Sequence, residues 1–161
     1  IWQVLPGKRD SNVFVAEWYS LPLLPADSLP ESYWELIAQV KTAVNKVIEA
    51  KRAAGEVGGA LGTEVTLFAD DNLQSELQKL GEELHLVLIK STDKVQPLNA
   101  AQNAETTEMA GLKVTVKKSE YTKCERCWHH RADVGANAVH PAICLRCVTN
   151  VDGAGEERAF A

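Results

Sequence analysis

Four cysteines, Cys124, Cys127, Cys144 and Cys147, lie within 24 residues of a 161-residue chain, and no other cysteine is present. They form two Cys-x2-Cys pairs separated by sixteen residues, a spacing suited to one metal ion. Two cysteines three positions apart on a tight knuckle can aim both sulfurs at one point. A second knuckle completes a tetrahedron with Zn–S bonds of about 2.3 Å. Four thiolates leave no open coordination position, so the expected site is a structural Zn2+ held by four cysteines and not a hydrolytic one. Iron suits the same four sulfurs. Disulfide pairing is disfavoured because the start, Ile1-Trp2-Gln3-Val4, has neither the basic nor the apolar region of a secretory leader. His129, His130 and His140 lie between the knuckles; with four cysteines available they read as neighbours of the site or surface groups.

No catalytic constellation accompanies the cysteines. The four histidines, His85, His129, His130 and His140, contain no pair at metalloprotease i, i+4 spacing. The chain has no Gly-x-Ser-x-Gly elbow, and Gly58-Gly59-Ala60-Leu61-Gly62 is not followed by the Gly-Lys-Ser/Thr of a phosphate loop. The pattern points to a binding and structural part.

The elements that must carry the knuckles are read from periodicity. Residues 1–30 read as loop, with Val13–Val15 as a strand or packed extended piece and Pro22, Pro25 and Pro30 as breakers. Ser32 with Glu35 forms a capping-box signature. Leu36, Ile37, Val40, Val44, Val47 and Ile48 then recur at helical period until Gly55. Residues 64–69 alternate as a strand. Asp70 or Asp71 caps a helix over Asn72–Leu80, and Gly81 ends it. Leu84–Ile89 reads as a second, buried strand, 90–110 as a loop, and Leu112–Lys118 as a third strand with one wet basic face. The expected fold class is α+β: a long helix leading into a small βαβ-plus-strand domain, followed by a four-cysteine zinc ribbon or knuckle. The expected divisions are 1–62, 63–118 and 119–161.

Charge is unevenly spread. The whole chain has 17 Lys plus Arg, 22 Asp plus Glu and a net charge of -5. Residues 1–110 hold 9 bases against 16 acids, whereas 111–161 hold 8 against 6. Lys117, Lys118, Lys123, Arg126 and Arg131 cluster beside the first knuckle with Trp128 among them. Bases can neutralise phosphates and an aromatic ring can stack on an unpaired nucleotide, so these six are candidate RNA or DNA contacts, which the resemblance given below would make tRNA-binding residues. The same bases could instead offset the roughly −2 charge of a Zn2+ with four thiolates.

Several runs carry a family resemblance. Cys124-Glu-Arg-Cys-Trp-His-His, Asp133-Val-Gly, His140-Pro-Ala-Ile-Cys-Leu-Arg-Cys-Val and Arg158-Ala-Phe-Ala resemble the C-terminus of bacterial isoleucyl-tRNA synthetases. Upstream, Trp34–Val40, residues 44–52, Val57-Gly-Gly-Ala-Leu61 and Val65-Thr-Leu-Phe-Ala69 resemble the exit from that family's helical anticodon-binding domain. The resemblance covers nearly the whole chain in order. It departs at Gly59-Ala60-Leu61-Gly62-Thr63, where the family commonly has Gly-Ser-Leu-Glu-Ala.

The resemblance implies a class I, cytoplasmic, monomeric ligase that joins isoleucine to its tRNA using ATP. It also implies a zinc-bearing C-terminus that supports tRNA engagement, with Cys124, Cys127, Cys144 and Cys147 as ligands. The implied partners are tRNA and the rest of the synthetase chain, with no membrane. The signatures His-Ile-Gly-His and Lys-Met-Ser-Lys-Ser are absent, and the single Met, Met109, stands in Glu-Met-Ala. ATP would therefore bind only in a catalytic domain outside this chain, which alone should be inactive. An opening on Ile1-Trp2 and an end at Ala161 fit a C-terminal piece. A related knuckle occurs in formamidopyrimidine-DNA glycosylases, so the alternatives are a DNA-repair glycosylase tail or a purely structural zinc clip.

Overall fold

The computed structural model describes residues 1–23, 25 and 28–160. The expected chain end, Ala161, lies outside them. Contacts within the chain gather it into two units, 1–30 and 31–161.

In the first unit, Trp2–Val4 and Val13–Val15 are single 3-10 turns. The strand expected at Val13–Val15 is not formed. Asn12 accepts the Phe14 N–H at 2.8 Å and closes a turn there, and Phe14 is 91% exposed. A short apolar run carries no period long enough to distinguish these outcomes. Trp2 donates its indole N–H to Asp10 O at 3.0 Å, and Arg9 lies 4.9 Å over the Trp2 ring.

The second unit begins with α1, Glu31–Ala53, which buries Tyr33, Ile37, Val40, Ala43, Val44 and Ile48 on one face. The helix starts at Glu31, so Ser32 lies in its first turn and is not the N-cap. Pro30 precedes it, and a missing N–H costs nothing at a helix start. At the other end Gly55 takes φ +75°. The Glu56 N–H then reaches Lys51 O and the Gly55 N–H reaches Arg52 O, both at 3.0 Å. These paired bonds close the helix as a Schellman motif.

Four strands follow: β1 (Thr63–Ala69), β2 (Thr92–Pro97), β3 (Glu105–Thr106) and β4 (Leu112–Lys118). They form one sheet in the order β2-β1-β4-β3. β1 pairs parallel with β2 and antiparallel with β4. Val65, Leu67, Ala69, Leu112, Val114 and Val116 alternate onto one face and are buried. Helix α1 packs on β4, and α2 (Asp71–Gln78) packs on β1 and β2. Tyr33 of α1 donates its hydroxyl to Glu76 O at 3.0 Å, joining the two helices. Burial, aided by the Glu76 charge, pushes the Tyr33 phenol up to about 12.

Two expectations are corrected in this unit. Leu84–Leu88 is a short helix, α3, where a buried strand was expected. Leu84 and Leu88 stand four apart and bury together, Glu82 and Glu83 occupy the preceding turn, and Ile89 at φ 58° ends the helix. Residues 90–110 are not a plain loop, since they hold β2 and β3. A parallel partner for β1 needs a long crossover, and α2 with α3 fills it. β2 is a sheet edge, which permits its polar sequence and Pro97. The βαβ unit therefore exists, with its second strand eight residues later than the apolar run suggested.

The last segment holds the two knuckles and α4 (Leu145–Asp152), a helix not anticipated from the sequence. Cys144 is its N-cap residue. The segment is fastened to the sheet domain at separate points. The His130 N–H bonds Ser91 Oγ at 2.7 Å. Glu83 accepts the N–H groups of Ala159 and Phe160 at 2.6 and 2.7 Å.

Candidate metal centre and nucleic-acid face

The first knuckle is shaped by its backbone. Trp128 N–H bonds Cys124 O at 2.9 Å, and Cys124 N–H bonds His129 O at 2.9 Å. Trp128 takes φ 65°, which lets the chain turn sharply after Cys127. The second knuckle runs into α4, so Cys144 and Cys147 are set by the start of a helix.

All four Sγ atoms lie within 4.8 Å of one another. Cys124 Sγ is 3.7 Å from Cys147 Sγ, and Cys127 Sγ is 3.8 Å from Cys144 Sγ. A tetrahedron with bonds of about 2.3 Å has edges of about 3.8 Å, which these two separations match, so the donor set suits Zn2+. Cys124, Cys144 and Cys147 are fully buried, with Cys127, Val134 and Ile143 packed around them.

The electrostatics favour the same conclusion. Burial pushes the Cys124 thiol up, but backbone N–H groups of Cys127, Cys144 and Arg126 outweigh it and bring the thiol down to about 6. Burial, with the neighbouring Cys147 and Cys127 sulfurs, pushes Cys144 up to about 12. Four thiolates at this separation require a central cation or nearby bases. Some bases are present: Arg126 Nη1 stands 3.6 Å from Cys147 Sγ, and the Arg146 side chain bonds Cys127. Arg146 also pairs with Glu156 at 3.0 Å.

No histidine joins the sulfurs among the described residues. His129 is held near His85, ring centres 6.1 Å apart, and its Nε2 is buried without a hydrogen-bond partner. Burial, with the nearby Arg146 charge, brings His129 down to about 4 and keeps it neutral. His130 Nδ1 lies 2.8 Å from Tyr121 O, and His140 bonds Asp152.

The six candidate tRNA-binding residues are disposed differently. Trp128 is 58% exposed, and Lys123 Nζ lies 5.2 Å from its ring centre. Lys118 is exposed and forms no ion pair among the described residues. Lys117 bonds Glu64 at 2.8 Å, Arg131 bonds Asp133 at 3.1 Å, and Arg126 faces a sulfur. Lys123 and Trp128 therefore make the most open polar-aromatic pair on the knuckle. Arg146, missed from sequence, is the second base serving the sulfurs. Its position between Cys144 and Cys147 was the signal available.

Comparison with known proteins finds relatives for the sequence that builds this geometry. Residues 123–150 match the model of the zinc finger found in FPG and IleRS. The whole chain aligns with isoleucine–tRNA ligases. It is 54% identical over 162 residues to that of Saccharophagus degradans, covering 100% of this chain and 17% of the relative. It is 53% identical over 163 residues to that of Teredinibacter turnerae, covering 100% of this chain and 18% of the relative. It is 53% identical over 164 residues to that of Pseudomonas aeruginosa, covering 100% of this chain and 17% of the relative. The finger model alone is shared by two protein classes, but the sequence upstream of the finger aligns with the ligases. No helix among the described residues is long and apolar enough to cross a membrane. The chain spans under a fifth of the relatives' length, and along its full extent it is more than 50% identical to the C-terminal region of isoleucine–tRNA ligases and carries the zinc finger found in FPG and IleRS.

Proposed function

We propose that this chain is the tRNA-facing C-terminal region of an isoleucine–tRNA ligase. It supports the ATP-dependent attachment of isoleucine to tRNA, which a catalytic domain elsewhere in the parent performs. Whole-length identity to such ligases carries this reading. ATP would bind only in that domain, and the chain alone would not charge tRNA. The partners are tRNA and the rest of the ligase chain, in a monomeric, cytoplasmic enzyme. In this reading residues 1–62 end the helical anticodon-binding domain, 63–118 form the small α/β domain and 119–161 the metal module.

Cys124, Cys127, Cys144 and Cys147 would hold one Zn2+. Bound there, the ion supplies folding free energy to a module too small to build a core, and no open position for chemistry. The chain's own residues do the rest. The turn at Trp128 projects the indole outward and Lys123 sits against it. Together they offer an unpaired base a stacking face beside a positive charge. Lys118 is exposed and is a further candidate contact for phosphate, as are Lys117, Arg126 and Arg131, which Glu64, the Cys147 sulfur and Asp133 respectively engage within the chain.

The test is a salt series of tRNA binding by the zinc-loaded chain. Affinity should fall with a log–log slope of roughly −0.7 to −0.9 per phosphate neutralised. Trp128→Ala should weaken binding with the slope unchanged, and Lys118→Gln with Lys123→Gln should flatten it. Salt-independent binding, or none at low salt, would reject the reading.

A further inference from the structure

Strand pairing assembles a surface that no single segment shows. Thr66 of β1 pairs with Lys94 of β2 on one side and Thr115 of β4 on the other. Phe68 pairs with Lys113, and Glu64 with Lys117. Partners directly across a sheet share a face. Lys94, Lys113 and Lys117 therefore project from the same face, opposite the one bearing buried Val65, Leu67, Val114 and Val116. With strands about 4.8 Å apart and a rise of about 3.3 Å per residue, the three lysines form a triangle with sides of about 12–13 Å.

The charge on this face is one-sided. Lys94 and Lys117 are exposed and Lys113 half-exposed. Glu64 is the acid opposite them, and it is engaged by Lys117 at 2.8 Å and Ser119 at 2.8 Å. Lys94 and Lys113 form no ion pair among the described residues. Thr115, between Lys113 and Lys117 along β4, has its hydroxyl buried beneath this face without a hydrogen-bond partner. The chain as a whole is acidic, with a net charge of -5, so a face with three bases and one acid is not average surface.

We propose that this sheet face, through Lys94 and Lys113 with Lys117 beside them, is a second contact for the ribose-phosphate backbone of tRNA, separate from the knuckle. The proposal rests on the tRNA-facing reading above and extends it to residues outside the zinc module. Charge complementarity selects the occupant: ammonium groups on a β face address phosphate oxygens and leave bases unread. An acidic surface of the parent ligase is the competing occupant, and the test separates the two.

The experiment compares tRNA binding across a salt series for the zinc-loaded chain, Lys94→Gln/Lys113→Gln, the charge-keeping Lys94→Arg/Lys113→Arg, and Lys118→Gln/Lys123→Gln. Thermal unfolding confirms that each variant is folded. The Gln pair on the sheet should make the log–log slope shallower by about 1.4–1.8, two phosphates' worth, and the Arg pair should restore it. An unchanged slope in the sheet variant, with a flattened slope in the Lys118/Lys123 variant, would overturn this inference and leave the tRNA reading standing. That result would assign the face to the parent's own surface. Absence of tRNA binding by every form, the unmutated chain included, would overturn both.

Discussion

Arg126 Nη1 stands 3.6 Å from Cys147 Sγ, so a base that sequence reasoning assigned to tRNA also serves the sulfur cluster. A guanidinium there offsets thiolate charge and orients a sulfur, as groups just outside a metal's ligands do. Arg126→Gln should therefore loosen the metal by about 10-fold or more. Competition with a chromogenic chelator measures this. Equal retention by both proteins would leave Arg126 free to act on tRNA alone.

Metal removal should act locally. Zinc contributes an apparent 10–16 kcal/mol or so to modules of this kind, whereas the sheet domain has its own core. With a strong chelator, or in Cys144→Ser, amides of 123–150 should lose protection from hydrogen exchange. Those of β1 and β4 should keep theirs. Protection unchanged in the knuckles after the metal has left would contradict a structural role.

Gly111 is required where β4 begins. It has φ +76°, and a Cβ there would stand 2.0 Å from Asp70 Oδ2. Asp70 in turn caps α2 by accepting the Leu73 N–H at 2.9 Å, and its own N–H bonds Gly111 O at 3.0 Å. Gly111→Ala should cost about 2–4 kcal/mol, combining left-handed strain with damage to the cap. Asp70→Ala should cost about 1 kcal/mol. Urea midpoints compare the two; equal effects would show that the close approach is relieved cheaply.

Lys90 makes a prediction about pH. It is 2% exposed, its ammonium bonds Asn45 Oδ1 at 2.9 Å, and burial, with the Lys41 charge nearby, lowers its pKa. A lysine whose folded pKa is lowered binds fewer protons folded than unfolded between the two values. Stability should then rise as pH climbs from the folded pKa toward about 10.4. Tyr33 acts oppositely above about pH 10, since its raised pKa makes unfolding favourable to ionisation there. Lys90→Met should be as stable as the unmutated chain or more so at pH 7, and should lack the gain that the unmutated chain shows as pH climbs toward about 10.4. Chemical unfolding of the metal-loaded proteins at several pH values decides it. An identical pH profile in Lys90→Met would assign the dependence elsewhere.

The residues that carry the strongest periodicity were legible from the sequence. The α1 stripe at Ile37, Val40, Val44 and Ile48 buries as its spacing requires. The alternation of Val65, Leu67, Val114 and Val116 gives two central strands. Leu84–Leu88 failed because a five-residue run with four apolar side chains fits a buried strand and a helical turn equally well. β2 failed for the opposite reason: Thr92–Pro97 is polar because an edge strand need not be apolar. α4 was overlooked because its start coincides with the second knuckle, where metal spacing dominates the pattern.

The sequence by itself determined which atoms could gather a metal. Cys-x2-Cys spacing is local, and a tight turn brings each pair together whatever surrounds it. It also carried the likeness to isoleucine–tRNA ligases, through runs of residues in order. Only the tertiary structure decided where charge goes. Arg126 and Arg146 turn to sulfur, Lys117 is held by Glu64, and Lys94 joins Lys113 because β2 pairs with β1. Coulomb interactions act through space over a few ångströms, and strand pairing makes near neighbours of residues far apart in the chain.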